Sequence, residues 1–165
     1  MSQAYIGVGG NLGDVIGTIN SAIEVLKQAS GISTVSLSSF YESEPLGGSD
    51  QPQYINAVAG LKTTLNPEQL LSLLQEIELR FGRIRTEERW ISRTLDLDIL
   101  LFDDLQLTSE NLTIPHAGML VRDFVLEPLF ELAPELNIAG YGLLSNALHS
   151  CENRGLKKLQ LEAIK

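Results

Sequence analysis

The chain has 165 residues, a formal net charge of −9, and 44% hydrophobic against 20% charged residues, which are the proportions of one globular domain over 1–165 with a core of its own. An acidic surplus of this size argues against a general nucleic-acid binder, which needs a basic face to neutralise phosphates. The single Cys151 excludes an intrachain disulfide, no apolar run reaches the roughly 18 residues of a membrane span, and the first ten residues lack the basic start of a signal peptide, so a cytoplasmic protein without a membrane partner is expected.

Ala4 to Gly9 reads as a short buried strand ending in glycines. The run Gly7-Val8-Gly9-Gly10-Asn11-Leu12-Gly13 reads as a tight turn and helix entry, with neither the Lys-Ser/Thr ending of a Walker A loop nor the spacing of a dinucleotide fingerprint. Leu12, Ile16, Ile19, Ile23 and Leu26 then recur at helical spacing until Gly31 stops them. Ile32 to Tyr41 is β-rich, Pro45, Gly47, Gly48 and Pro52 mark a loop, and strand character resumes from Tyr54 to Thr64. Asn66 is a good N-cap with Pro67 at the first helical position, and Leu70, Leu73, Leu74, Ile77 and Phe81 supply that helix's apolar face. Gly82 to Arg93 is polar and basic without either period. Thr94 to Phe102 is a strand closed by Asp103 and Asp104. The order β-α-β-β-α-β is the ferredoxin-like split pattern, an α+β fold with an antiparallel sheet and both helices on one face. A C-terminal helical extension follows, with a loop through Thr113-Ile114-Pro115-His116, a helix from about Leu120 to Leu132, a weaker one around Leu143 to Leu148, and a tail from Cys151 that adds a short edge strand.

The sharpest chemical signal is Arg93-Thr94-Leu95-Asp96-Leu97-Asp98-Ile99-Leu100. Strand residues two apart share a face, so Asp96 and Asp98 point the same way, roughly 6.6 Å apart along the backbone, with Leu95, Leu97 and Ile99 on the other face. Two carboxylates so placed repel each other, and a divalent cation relieves them; Mg²⁺ characteristically takes one or two carboxylates, waters and substrate phosphates. By itself the pair equally fits a solvated face whose acids pair with nearby arginines. Those arginines are the second signal: Arg80, Arg83, Arg85, Arg89 and Arg93 are five of the chain's 12 Lys and Arg. Beside a metal site, guanidinium forks suit a polyphosphate; without one, they suit a solvated loop partly neutralised by Glu87 and Glu88. Trp90 in this loop covers a ligand or anchors the loop on the core. The third signal is Tyr54, Asn56 and Phe124, in or near loops, where two rings can sandwich a flat heterocycle whose edge the amide reads; core packing is the alternative for the rings. His116 follows a proline and is placed to donate to a phosphate, while His149 reads as an ordinary helix-surface residue.

Together these segments resemble the 6-hydroxymethyl-7,8-dihydropterin pyrophosphokinases, a family of folate biosynthesis. The resemblance runs through Gly9-Gly10-Asn11-Leu12-Gly13, Ser39-Phe40-Tyr41-Glu42-Ser43, Pro45-Leu46-Gly47, Asp50-Gln51-Pro52 and Tyr54-Ile55-Asn56-Ala57. It continues through Glu78, Arg83 with Arg85, Glu88-Arg89-Trp90, the Arg93 to Ile99 run, Ile114-Pro115-His116, Arg122-Asp123-Phe124-Val125-Leu126 and Pro128-Leu129. It implies transfer of the β,γ-pyrophosphoryl group of ATP to the pterin hydroxymethyl oxygen, with release of AMP. It also implies two Mg²⁺ on Asp96 and Asp98, with Arg83 and Arg93 joining them in catalysis. The matching ATP residues are Gln75, Glu78, Arg85, Trp90, Ile99, Thr113, His116 and Arg122. The matching pterin residues are Ser43 and Leu46, largely through backbone, with Tyr54, Asn56 and Phe124. Loops closing over the substrates correspond to Glu44 to Gln53 and Gly82 to Ser92. The chain departs from the family at Glu44, where Pro is usual, at Ile91, where Gly is usual, at Asn111, often basic, and at Ala117, often aromatic.

On the residues alone, two other readings compete: a different Asp-x-Asp nucleotidyl or glycosyl transferase, and a non-catalytic ferredoxin-like binding module such as an RNA-binding domain. The net charge of −9 and the lack of an aromatic RNA-binding strand weigh against the second. The expected partners are pterin and ATP, acting on a monomer.

Overall fold

The computed structural model describes residues 1–43, 53–82, 94–152 and 155–159. Its elements are β1 (Ser2–Gly10), α1 (Val15–Gln28), β2 (Ile32–Leu37), β3 (Tyr41–Ser43), β4 (Tyr54–Thr63), α2 (Pro67–Arg80) and β5 (Asp96–Phe102). There follow β6 (Leu107–Thr108), β7 (Thr113–Ile114), a 3₁₀ turn (Met119–Val121), α3 (Asp123–Leu132), β8 (Asn137–Ile138), β9 (Gly142–Leu143), α4 (Leu144–Ser150) and β10 (Lys157–Lys158). The result is an α+β fold on an antiparallel sheet of order β10-β3-β4-β1-β5, with β2 also paired to β4.

The helices begin where local chemistry satisfies their orphan N–H groups. Asn66 Oδ1 accepts from Gln69 N–H at 2.8 Å and Gln69 Oε1 accepts from Asn66 N–H at 2.9 Å, a reciprocal box ahead of Pro67 of the kind worth about 1 kcal/mol. Asp14 caps α1 through Gly17 N–H, and α1 buries Val15, Ile19, Ala22, Ile23 and Leu26. Leu12, counted in that period, precedes the helix and is 40% exposed. The helix expected from Leu120 starts at Asp123, because the residues before it wind into the tighter 3₁₀ turn and Arg122 is extended.

Two further expectations are corrected. Of the run read as a tight turn and helix entry, Gly7 to Gly10 belong to β1, one residue beyond the strand end expected at Gly9: they pair residue for residue with β4 and, as far as Gly9, with β5. Hydrogen bonding from both neighbours holds them extended against the low strand preference of glycine. The β-rich segment from Ile32 to Tyr41 divides into β2 and β3 around Ser38, whose buried hydroxyl accepts from Val58 N–H at 2.9 Å while its own N–H donates to Val58 O.

Alternation along the strands gives the sheet two unlike faces. On one, Ile6 and Val8, Ala57 and Ala59, and Leu97 and Ile99 meet α1 and α2 in a single core. On the other, α3 and α4 cover Val58, Leu100 and Leu101. The half-buried polar strand residues Asn56, Asp96 and Asp98 lie on this second face.

Candidate active site

Register builds the site. Gly9 on the central strand stands opposite Asn56 on β4 and opposite Asp96 on β5, and Asn56 in turn stands opposite Tyr41 on β3. Directly paired residues share a face, so one lateral row runs Tyr41, Asn56, Gly9, Asp96. Two residues along β5 and β1, Asp98 stands opposite Gly7; on the other side, Ser43 stands opposite Tyr54. All are on the face away from the α1/α2 core. Asn56 Nδ2 donates to Ser43 Oγ at 3.2 Å, which orients the amide. Tyr54 and Asn56 therefore sit on a strand and Phe124 in the first turn of α3, rather than in loops.

The glycines are part of the geometry. A Cβ at Gly9 would lie 3.0 Å from Ile55 O and overlap Asn56 Oδ1, so the central strand offers bare backbone between an amide and a carboxylate. The sequence carried a signal for this in Gly9-Gly10, but not for which side chains it separates.

Asp96 and Asp98 are both half-buried on this face, while Leu97 and Ile99 between and beyond them are in the core. Among the described residues no group of three or more His, Cys, Asp or Glu converges as a cage for a metal ion. The pair instead offers two hard oxygen donors on one open surface, a set that fits Mg²⁺ retaining waters and phosphate oxygens.

His116 stands near Asp96 and near Arg122. His116 N–H donates to Leu100 O at 2.9 Å, which fastens the loop to β5, and its Nδ1 accepts from Gly118 N–H at 3.2 Å. An accepting Nδ1 puts the proton of a neutral imidazole on Nε2. Burial and the nearby Arg122 push the His116 pKa down, against an upward pull from Asp96. The Arg122 guanidinium lies 5.8 Å from the centroid of the Phe124 ring, within cation–π range.

Glu78 is 3% exposed, and its Oε2 accepts from Leu97 N–H at 2.8 Å, so this carboxylate holds the strand at the residue between the two aspartates. Gln75, one turn earlier, shares that side of α2 and is half-buried. The Ile99 side chain is in the core, and the residue pairs with Ile6 of β1. Thr113 pairs with Thr108 beside β5. Arg80 is an exposed residue of α2 that pairs with Glu76 at 3.9 Å. Leu46, Arg83, Arg85, Trp90 and Arg93, with Glu44 and Ile91 and both expected closing loops, lie outside the described residues apart from the loops' end residues.

One cluster escaped the sequence reading. Glu131 of α3 accepts from Ser39 N–H at 2.7 Å, Ser39 Oγ at 3.2 Å and the Tyr41 hydroxyl at 2.9 Å, with Lys158 Nζ at 3.7 Å. It ties α3 and the C-terminal strand to β3, the strand carrying Ser43. Burial alone would raise the Glu131 pKa, but the Ser39, Tyr41 and Lys158 contacts outweigh it and hold the carboxyl below its ordinary value. Tyr41 is pushed the opposite way, by burial and then by the Glu131 bond. Ninety residues separate the partners, so no local pattern announces them.

Residues 5–134 match the family described as 7,8-dihydro-6-hydroxymethylpterin-pyrophosphokinase. The chain is 43% identical over 159 residues to the 2-amino-4-hydroxy-6-hydroxymethyldihydropteridine pyrophosphokinase of Haemophilus influenzae, covering 96% of this chain and 99% of that one. It is 41% identical to the enzyme of the same name from Pseudomonas aeruginosa, covering 96% and 98%. Its fold is similar to that of the Plasmodium falciparum HPPK-DHPS crystal structure, with a TM-score of 0.72 over 90% of this chain at 14% identity; the chain spans 44% of that longer polypeptide.

Proposed function

The chain belongs to the 7,8-dihydro-6-hydroxymethylpterin-pyrophosphokinase family, and on that premise we infer that it transfers the pyrophosphoryl group of ATP to 6-hydroxymethyl-7,8-dihydropterin in folate biosynthesis, releasing AMP and the pterin diphosphate. The observation that carries the assignment of roles is the lateral row Asn56, Gly9, Asp96. Adjacent strands are about 4.8 Å apart, so the amide and the first carboxylate stand roughly 10 Å apart across bare glycine backbone. That is the reach of a bicyclic heterocycle read at its ring edge by Asn56, with its hydroxymethyl arm extended toward the aspartates.

The roles follow from the chemistry of each group. Asn56 offers one donor and one acceptor to the ring edge, steadied by Ser43, and Tyr54 and Phe124 supply aromatic faces for stacking. Asp96 and Asp98 would hold Mg²⁺, which when bound supplies positive charge at the phosphate oxygens. Arg122 and the Nε2–H of His116 donate to the triphosphate, and the Ile99 backbone, Gln75 and Thr113 line its nucleoside end. Glu78 acts from beneath, keeping Leu97 and hence both aspartates in register. Attack by the hydroxymethyl oxygen on the β-phosphorus builds charge on the leaving and equatorial oxygens, and preorganised donors lower that barrier without reorganising.

We read the fold as ferredoxin-like with a C-terminal helical extension, and the whole chain as one pyrophosphokinase domain. The sheet order supports the first, with the split of β2 from β3 as a local break in one strand. The second is supported by Leu144 and Ala147 of α4 in the α3 core and by the pairing of β10 with β3. The activity is tested by measuring AMP formed from ATP and 6-hydroxymethyl-7,8-dihydropterin, with and without Mg²⁺. Pterin-dependent AMP release is expected; release of ADP, or AMP formation indifferent to the pterin, overturns the reading.

A further inference from the structure

Gly118 stands immediately before the 3₁₀ turn at φ −102° and ψ 0°, a backbone conformation that does not require glycine. Two neighbours nevertheless use it. Its N–H donates to His116 Nδ1 at 3.2 Å, and the space of its missing side chain is taken by Arg122. A Cβ at 118 would stand 2.9 Å from Arg122 Cζ and Nε and 3.0 Å from its Nη2, inside the separation of about 3.5–4.0 Å that such contacts prefer. The guanidinium seated there is the one that reaches the Phe124 ring. It therefore touches the bare backbone of 118 and an aromatic face assigned to the heterocycle.

We propose that Gly118 is a positioning residue: the absence of a side chain there sets where the Arg122 guanidinium sits, and so aligns a phosphate donor with the stacking ring. The inference rests on the reading of Arg122 as a nucleotide contact. Gly118→Ala perturbs little else. The backbone angles suit alanine, which also has less freedom to lose on folding, and the N–H to His116 survives. The guanidinium, as the far end of a flexible side chain, yields first and retreats by roughly half an ångström or more. Displacements of that order in positioned groups lower turnover.

The test has a ligand-free arm and a functional arm. In the free protein the Arg122 Nε–Hε NMR resonance is assigned by its loss in Arg122→Lys, and its ring-current shift by Phe124→Leu. In Gly118→Ala, and again in Gly118→Ser, it should move from its parent position, while the His116 ring nitrogens and the melting temperature hold. An Arg122 resonance unmoved in both variants overturns the proposal. In the functional arm, affinity for a non-hydrolysable ATP analogue with Mg²⁺ should fall about 3–10-fold in Gly118→Ala and not at all when the same change is made in Arg122→Ala. Equal losses in both backgrounds would mean that Gly118 acts by another route, which also overturns it. If Arg122→Ala alone leaves nucleotide affinity and turnover intact, the assignment of Arg122 fails instead, and the resonance shift alone decides whether Gly118 positions it.

Discussion

Replacing Glu78 by Ala removes the acceptor of the Leu97 N–H, a bond of 2.8 Å at a residue only 3% exposed. A buried donor left without a partner costs about 1–3 kcal/mol, and the one lost methylene adds about 0.8 kcal/mol, so the expected loss is roughly 2–4 kcal/mol. Because Leu97 lies between Asp96 and Asp98, turnover should fall as well, even at temperatures where the variant is folded. Glu78→Gln keeps an oxygen in place and should lose only about 1 kcal/mol. Urea unfolding followed by circular dichroism, together with AMP release well below the melting temperature, measures both quantities. A Glu78→Ala protein within about 0.5 kcal/mol of the parent, the scatter of ordinary surface changes, would refute the idea that this bond holds the strand. Equal losses in Gln and Ala variants would show that the charge, rather than the acceptor, matters.

The half-exposed acids beside it should behave in the opposite way: Asp96→Ala and Asp98→Ala should leave melting curves nearly unchanged while AMP release drops by about 100-fold or more, and near-normal turnover in both would remove the metal assignment. Tyr54→Ala and Phe124→Ala should each weaken pterin binding by about 0.5–1.5 kcal/mol through lost stacking, and Asn56→Ala by more than the ~1 kcal/mol of a neutral hydrogen bond; calorimetry with an ATP analogue present checks this, and unchanged affinity in all three moves the pterin elsewhere. For Glu131 the folded pKa is depressed, so its stabilisation is complete above the ordinary value of 4.5 and is lost as pH falls through the lower folded value. The stability gap between the parent and Glu131→Gln should therefore close in acid, and a gap constant from neutral pH downward would falsify the clasp. Tyr41, raised, carries the alkaline counterpart: its contribution is intact below 10.0 and declines as pH rises beyond it.

What was legible beforehand is what short-range chemistry dictates. Asn66 and Pro67 mark the start of α2 because a cap and its Gln69 partner lie three residues apart. Asp96 and Asp98 read as one face, opposite Leu97 and Ile99, because alternation is a property of the strand itself, and the structure has them so. The motifs likewise disclosed the family and the set of residues to consider. Where neighbours in space are distant in the chain, the sequence had no voice. The glycines from Gly7 fit both the end of a strand and the start of a turn, and hydrogen bonds from β4 and β5 decide for the central strand, through Gly10. The split at Ser38 depends on Val58, twenty residues on, and the Glu131 clasp spans ninety.

The sequence by itself determined which residues carry charge, where α2 begins and which strand face is polar, since periodicity and capping act over a few residues. Only the tertiary structure decided that Asn56 and Asp96 flank one glycine, that Glu78 faces inward to Leu97, and that Gly118 makes room for Arg122. Those are consequences of register and packing between segments that the chain brings together only when it folds.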